Sequence, residues 1–184
     1  MRFVQTAQVD ERVRTTKLPE DVLFESMRYI VAHEVGHTLG LMHNMAASAS
    51  IPVESYRDAE FMEKYGTTPS IMDYARFNYI AQPEDKGVSL TPPELGVYDY
   101  YAIEWGYKPL LDARTPEEEL PVLRKMISDK IGDPMFRYGK QQIGYGTFDP
   151  SSLTEDLSDD AVKAGEYGIK NLKYILKNLN HWMD

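Results

Sequence analysis

Three of the four histidines in the chain fall within eleven residues: His33, Glu34, Val35, Gly36, His37, Thr38, Leu39, Gly40, Leu41, Met42 and His43. On a helix, His33 and His37 lie one turn apart on one face, so their imidazoles can converge on one ion at the ~2.0 Å zinc–nitrogen distance. Glu34 sits ~100° further round, outside the ligand set but close to a water on that ion. A continuing helix would carry His43 to the opposite side. Gly40 resolves this, because glycine takes the left-handed conformation that stops a helix and turns the chain back, where other residues lose ~1 kcal/mol or more. With independent residue usage, the five fixed positions would match by chance with a probability on the order of 10⁻⁵, so the spacing points to a ligand set. Three neutral ligands leave zinc one open position, the catalytic arrangement. Water there is acidified toward pKa ~7, Glu34 takes its proton, and the hydroxide attacks a polarised carbonyl before Glu34 returns the proton to the leaving amine. That chemistry is peptide hydrolysis without a covalent enzyme intermediate.

The element that must position this set is a helix from Pro19, at a first helical position, to Gly40 at the C-terminal cap. Val22, Leu23, Met27, Ile30, Val31 and Val35 recur along it at helical spacing. A shorter helix from Pro52 to about Tyr65 is ended by Gly66, and a loop through Pro69 leads into Ser70 to Tyr74. Thr91 and Glu94 have capping-box spacing and predict a helix with Leu95, Tyr98, Ala102 and Trp105 on one face, stopping near Gly106. Thr115 and Glu118 repeat that signal, but Pro121 predicts a kink or a restart. From about Ser158 to Asn178 a last helix places Val162, Ile169, Leu172, Leu176 and Leu179 inward and Glu166, Lys170, Lys173 and Lys177 outward. Ahead of all these, Phe3, Val4 and Gln5 suit at most a short strand, followed by an exposed connector. Everything after residue 18 reads as helices and loops, a mainly α chain.

The pattern H-E-x-x-H-x-x-G-x-x-H resembles that of the metzincin zinc endopeptidases. Their second signature is a methionine-containing turn beneath the metal, and Ser70, Ile71, Met72, Asp73 and Tyr74 lie about thirty residues after His43. The resemblance implies that zinc is held by His33, His37 and His43, that Met72 forms an apolar floor under the imidazoles, and that Glu34 is catalytic. It also implies a catalytic role for Tyr74, which matches the tyrosine that in astacin-like and serralysin-like members reaches the zinc or the oxyanion. Asn44 follows the third histidine, where the better-known subfamilies carry Glu, Pro, Asp or Ser, so subfamily and specificity do not transfer. The wider stretch from Tyr29 to Asn44, with Ser70 to Tyr79 and Leu90 to Tyr107, is similar to large zinc metalloproteases secreted by Gram-negative gut bacteria. That likeness implies protein or peptide substrates and an extracytoplasmic location, with a leader outside this chain. Metzincins place a twisted sheet before the active helix, and its edge strand binds substrate by strand addition. Only eighteen residues precede Pro19. The resemblance therefore implies a fragment: residues 1–108 as the C-terminal, metal-binding half of an α+β metzincin-like zincin catalytic domain, with the active helix about 19–40 and the methionine turn about 70–74, then a helical extension over 109–184. Alone it would be weakly active or inactive, with the apolar side of its first long helix under-covered and self-association the consequence.

Composition sets the remaining bounds. Charged residues at 27% and hydrophobic residues at 42% over 184 residues make a globular chain of one domain or little more. A net charge of -9 with no basic patch argues against nucleic acid, and no apolar stretch approaches the roughly 20 residues of a membrane span. Without cysteine, any metal must be held by histidine and carboxylate, and Met1 to Thr6 lack a secretory signal. Asp149, Glu155, Asp156, Asp159 and Asp160 offer oxygen ligands of the kind calcium takes, though acidic residues before a helix are favoured by its dipole alone. The aromatic segment from Tyr74 to Tyr107, with Phe77, Tyr79, Tyr98, Tyr100, Tyr101 and Trp105, matches the stretch that lines the metzincin pocket beyond the scissile bond. Taken singly, each ring reads as core packing. His181 reads as a solvated terminal residue. An alternative function is a catalytically inactive, zinc-stabilised domain whose part after residue 108 is an interaction module; Glu34 discriminates, because a structural site has no use for a carboxylate beside an open position.

Overall fold

The computed structural model describes residues 2–142 and 148–183. Among the described residues six α-helices follow in order: α1 (Arg2–Thr6), α2 (Glu20–Thr38), α3 (Ala59–Tyr65), α4 (Val97–Tyr107), α5 (Pro116–Ser128) and α6 (Ala161–Met183), with short 3-10 turns between them. No strand occurs among the described residues, so the chain is mainly α. No described helix is long and apolar enough to cross a membrane.

The stretch expected as a short strand, Phe3 to Gln5, is part of α1, and the connector after it is only partly exposed, with Glu11, Arg12, Thr16 and Lys17 at the surface. Arg2, Thr6, Ala7, Gln8, Asp10 and Val13 are all buried. Five residues carry too little periodicity to choose between helix and strand; tertiary contact decides, with Phe3 edge-on to Trp182 of α6 at 6.4 Å and Arg2 over the Phe77 ring at 4.4 Å. Ala7, Val13, Val22 and Ile175 close one small core here.

The larger core gathers Ile51, Tyr56, Met62, Ile80, Leu157 and Ala164, mostly from loops. Buried loops need partners for every backbone group. Asn78 supplies them on its own segment, its Oδ1 accepting from the Ile80 and Ala81 amides at 3.1 and 3.0 Å while its Nδ2 donates to Tyr56 O at 2.7 Å. Asn171 of α6 donates to Tyr79 O and Ala81 O, both at 2.8 Å. Side-chain amides thus do the work of a sheet ladder between residues 66 and 96.

Four further expectations shift. The single helix over 52–65 divides into a 3-10 turn over Val53–Arg57 and α3, because Asp58 caps the Phe61 amide at 3.0 Å and restarts the helix. The capping box at Thr91 and Glu94 goes unused: consecutive prolines follow Thr91 and disfavour helix there, and α4 starts at Val97 with Asp99 accepting from the Gly96 amide at 2.7 Å. α5 does not restart at Pro121: one helix includes it, on the exposed side. On α6 the predicted inward stripe is largely outward, with Val162 76% and Leu176 68% exposed, and the packed face is Ala164, Asn171 and Ile175. A small residue and an amide serve there because α6 lies against backbone carbonyls.

Candidate metal centre

α2 is anchored by buried Val22 and opens on Glu20 and Asp21, which favour its positive end. Its large apolar residues do not form its buried side: Phe24, Met27, Ile30 and Val31 are 57–67% exposed. At its far end Gly40 has φ +82°, the Gly40 amide donates to His37 O at 3.0 Å, and the Leu41 amide donates to Gly36 O at 3.1 Å. Those two bonds are the paired closures of a Schellman turn, which glycine in the left-handed region permits. The turn reverses the chain, and the Leu41 carbonyl comes to lie 2.9 Å from Nδ1 of His37.

The three histidines meet. Their ring centroids lie 4.6–5.2 Å apart, and one ligand nitrogen from each falls within 4.8 Å of the others. Each Nδ1 faces an oxygen: Ile71 O at 2.6 Å for His33, Leu41 O at 2.9 Å for His37, and Gln141 Oε1 at 2.7 Å for His43. Oxygen acceptors require Nδ1–H, which leaves the three Nε2 lone pairs free to take an ion. Nε2 of His33, a residue 4% exposed, has no partner. A buried acceptor left unpaired costs about 1–3 kcal/mol, so this donor set fits a cation and little else. Burial, above all, also lowers the pKa of His33, favouring the neutral ligand form. Among the described residues these three are the one group of side chains placed to hold a metal ion.

The methionine turn lies against α2 and is fixed from α4. Asp99, buried, accepts from Ser70 Oγ at 2.7 Å and the Ile71 amide at 2.8 Å, so the carbonyl that orients His33 is itself held. Burial raises the Asp99 pKa, and those donors pull it back down. Met72 is 1% exposed, and a Cβ built on Gly36 would stand 2.4 Å from its Sδ. Glycine in mid-helix costs about 1 kcal/mol against alanine, and here it lets the turn approach. The hydroxyl of Tyr29 donates to the Asp73 carbonyl, closing the turn onto α2.

Tyr74 is brought to the histidines: its ring centroid is 5.3 Å from His33, stacked, and 4.6 Å from His43. Glu34 is exposed on the side of α2 next to His33. Beside the turn a cleft of about 390 Å³ is lined by Met42, Met72, Tyr98, Tyr101, Trp105 and Tyr138, among others. The aromatic segment therefore divides: Tyr98, Tyr101 and Trp105 wall the cleft, Tyr79 packs on the larger core, Phe77 lies under Arg2, and Tyr100 is 64% exposed.

The acidic residues weighed for calcium are engaged separately. Asp149 accepts from the Ser151 amide, Asp159 from Val53 and Asp160 from Lys163, each at 2.9 Å, while Glu155 pairs with Arg76. Burial pushes the Asp156 carboxyl up to about 6.

Sequence reasoning missed Asp99, Gly36 and Gln141. An acid in the first turn of a helix and a glycine inside a helical pattern were signals for the first two; nothing in the sequence marks Gln141, 98 residues from its histidine. A family model described as Met-zincin matches residues 15–184. Neither the curated proteins nor the solved structures hold a match to the chain.

Proposed function

The chain belongs to the Met-zincin family, and from that membership and its convergent histidines we propose that it is a zinc-dependent endopeptidase acting on protein or peptide substrates. From the likeness to secreted metalloproteases we infer that those substrates lie outside the cytoplasm. The observation that carries this reading is the buried, unpartnered Nε2 of His33 beside the Nε2 atoms of His37 and His43. His33, His37 and His43 hold the ion. When bound, zinc supplies Lewis acidity, polarising a carbonyl and acidifying water.

The remaining work falls to side chains. Glu34 takes the proton of the attacking water and delivers it to the leaving nitrogen, a task that suits an exposed carboxylate one residue from a ligand. Tyr74, against His33 and His43, offers its hydroxyl to the oxygen that becomes negative as the carbonyl is attacked. The aromatic cleft beside Met72 takes an apolar side chain of the substrate and so fixes the scissile bond in register.

The test is Glu34→Gln in the full-length protein, assayed on an unfolded protein substrate with zinc content measured on the same samples. The variant keeps its zinc and loses about 10² to 10⁴-fold in rate. Equal rates at equal zinc occupancy would remove Glu34 from the mechanism.

A further inference from the structure

His43 differs from the other two histidines in how it is held. His33 and His37 stand on α2, and each is oriented by a main-chain carbonyl that no substitution removes. His43 lies beyond the Gly40 turn, half-buried, and its Nδ1 is met by a side chain instead, Oε1 of Gln141 at 2.7 Å.

Its neighbour Asn44 explains how residue 141 reaches it. Asn44 is fully buried; its Nδ2 donates to Arg137 O at 2.9 Å and its Oδ1 accepts from the Gly139 amide at 2.9 Å, while the Met45 amide donates to Gly139 O at 2.7 Å. Three bonds thus clamp residues 137–139 to the chain immediately after the third histidine. Gln141 follows within two residues of the clamp.

We propose that Gln141 is a positioning residue for the metal centre, selecting the His43 tautomer whose Nε2 is bare and turned toward the ion, with Asn44 as the clamp that places it. The inference rests on the zinc reading of the three histidines. Two arrangements of the imidazoles compete. Nε2 of His43 lies 3.1 Å from Nε2 of His37, so in a metal-free protein the imidazoles can pair with each other, His43 carrying its proton on Nε2. That tautomer blocks ligation. An amide oxygen at Nδ1 favours the opposite one, and it holds the ring plane as well.

Gln141→Met keeps the length of the side chain without the acceptor, and Gln141→Glu keeps an acceptor while adding charge. Zinc affinity is measured by competition with a chromophoric chelator, and the His43 tautomer by ¹⁵N chemical shifts of the metal-free protein above pH 8. Unfolding midpoints of the metal-free variants separate loss of fold from loss of zinc. Wild type shows Nδ1–H at His43. Gln141→Met shifts His43 toward Nε2–H and weakens zinc about 10 to 100-fold at an unchanged midpoint. Gln141→Glu keeps both at their wild-type values, and Gln141→Ala takes the place of the methionine variant where that folds poorly. Unchanged zinc affinity in Gln141→Met, or a loss in Gln141→Glu equal to it, would overturn the assignment. Failure of the wild type to bind zinc at all would instead overturn the reading of the site beneath it.

Discussion

Gly36→Ala tests whether the methionine turn is seated on α2 as described. The added Cβ would stand 2.4 Å from Sδ and 3.4 Å from Cε of Met72, against a normal carbon contact of about 3.5–4.0 Å. Met72 is buried and its amide is held by Ser70 Oγ at 3.1 Å, so the overlap must be relieved by moving the Met72 side chain off its place against α2. Overpacking of this kind costs about 1–3 kcal/mol. Replacing a mid-helix glycine by alanine returns about 1 kcal/mol. The net effect is a loss of up to about 2 kcal/mol. In a Met72→Ala background the obstacle is gone, and the same substitution gains about 1 kcal/mol, so its sign reverses. Urea unfolding of the four metal-free proteins measures all the terms, with constant slopes as the check that the denatured state is unchanged. If Gly36→Ala stabilises both backgrounds equally, Met72 does not pack where it is placed and the floor beneath the histidines is misassigned.

Two other predictions concern side chains of the turn itself, buried Asp73 and exposed Tyr74. Burial pushes the Asp73 carboxyl up to about 7, against ~3.9 in an unfolded chain, so the folded state holds the extra proton between those values. The stability that neutral Asp73 contributes is complete below about pH 4 and lost as pH rises through 7. Asp73→Asn does not undergo that loss, and its unfolding midpoint relative to wild type should rise from pH 5 to pH 8; a constant difference would contradict the shift. Tyr74→Phe should keep zinc and lower kcat about 10² to 10³-fold, as removal of an oxyanion donor does; an unchanged kcat would leave Tyr74 a packing residue.

The metal-binding part of the fold was legible because it is local. His33, His37, Gly40 and His43 lie within two turns and a reversal, where helical geometry and the glycine conformation settle the outcome. Met72 was legible only through family likeness. What failed depends on distant chain. The stripe Val162, Ile169, Leu172 and Leu176 looks inward by hydrophobicity, yet Asn171 faces in because loop carbonyls await it there. Thr91 and Glu94 spell a capping box as well as Gly96 and Asp99 cap a helix, and it took two prolines and the anchoring of the methionine turn to choose the second. Gln141 meets His43 through a clamp on Asn44, a residue that the sequence shows only as an unusual neighbour of the third histidine.

Every role proposed above depends on one zinc ion held by three imidazole nitrogens. X-ray absorption at the zinc edge, on protein loaded with one equivalent, tests it most directly. The spectrum should show three imidazole nitrogens and one further oxygen at about 2.0–2.1 Å, with the imidazole signature reduced by a third in His43→Ala. A spectrum of oxygen ligands alone, or one that does not change in His43→Ala, would contradict it.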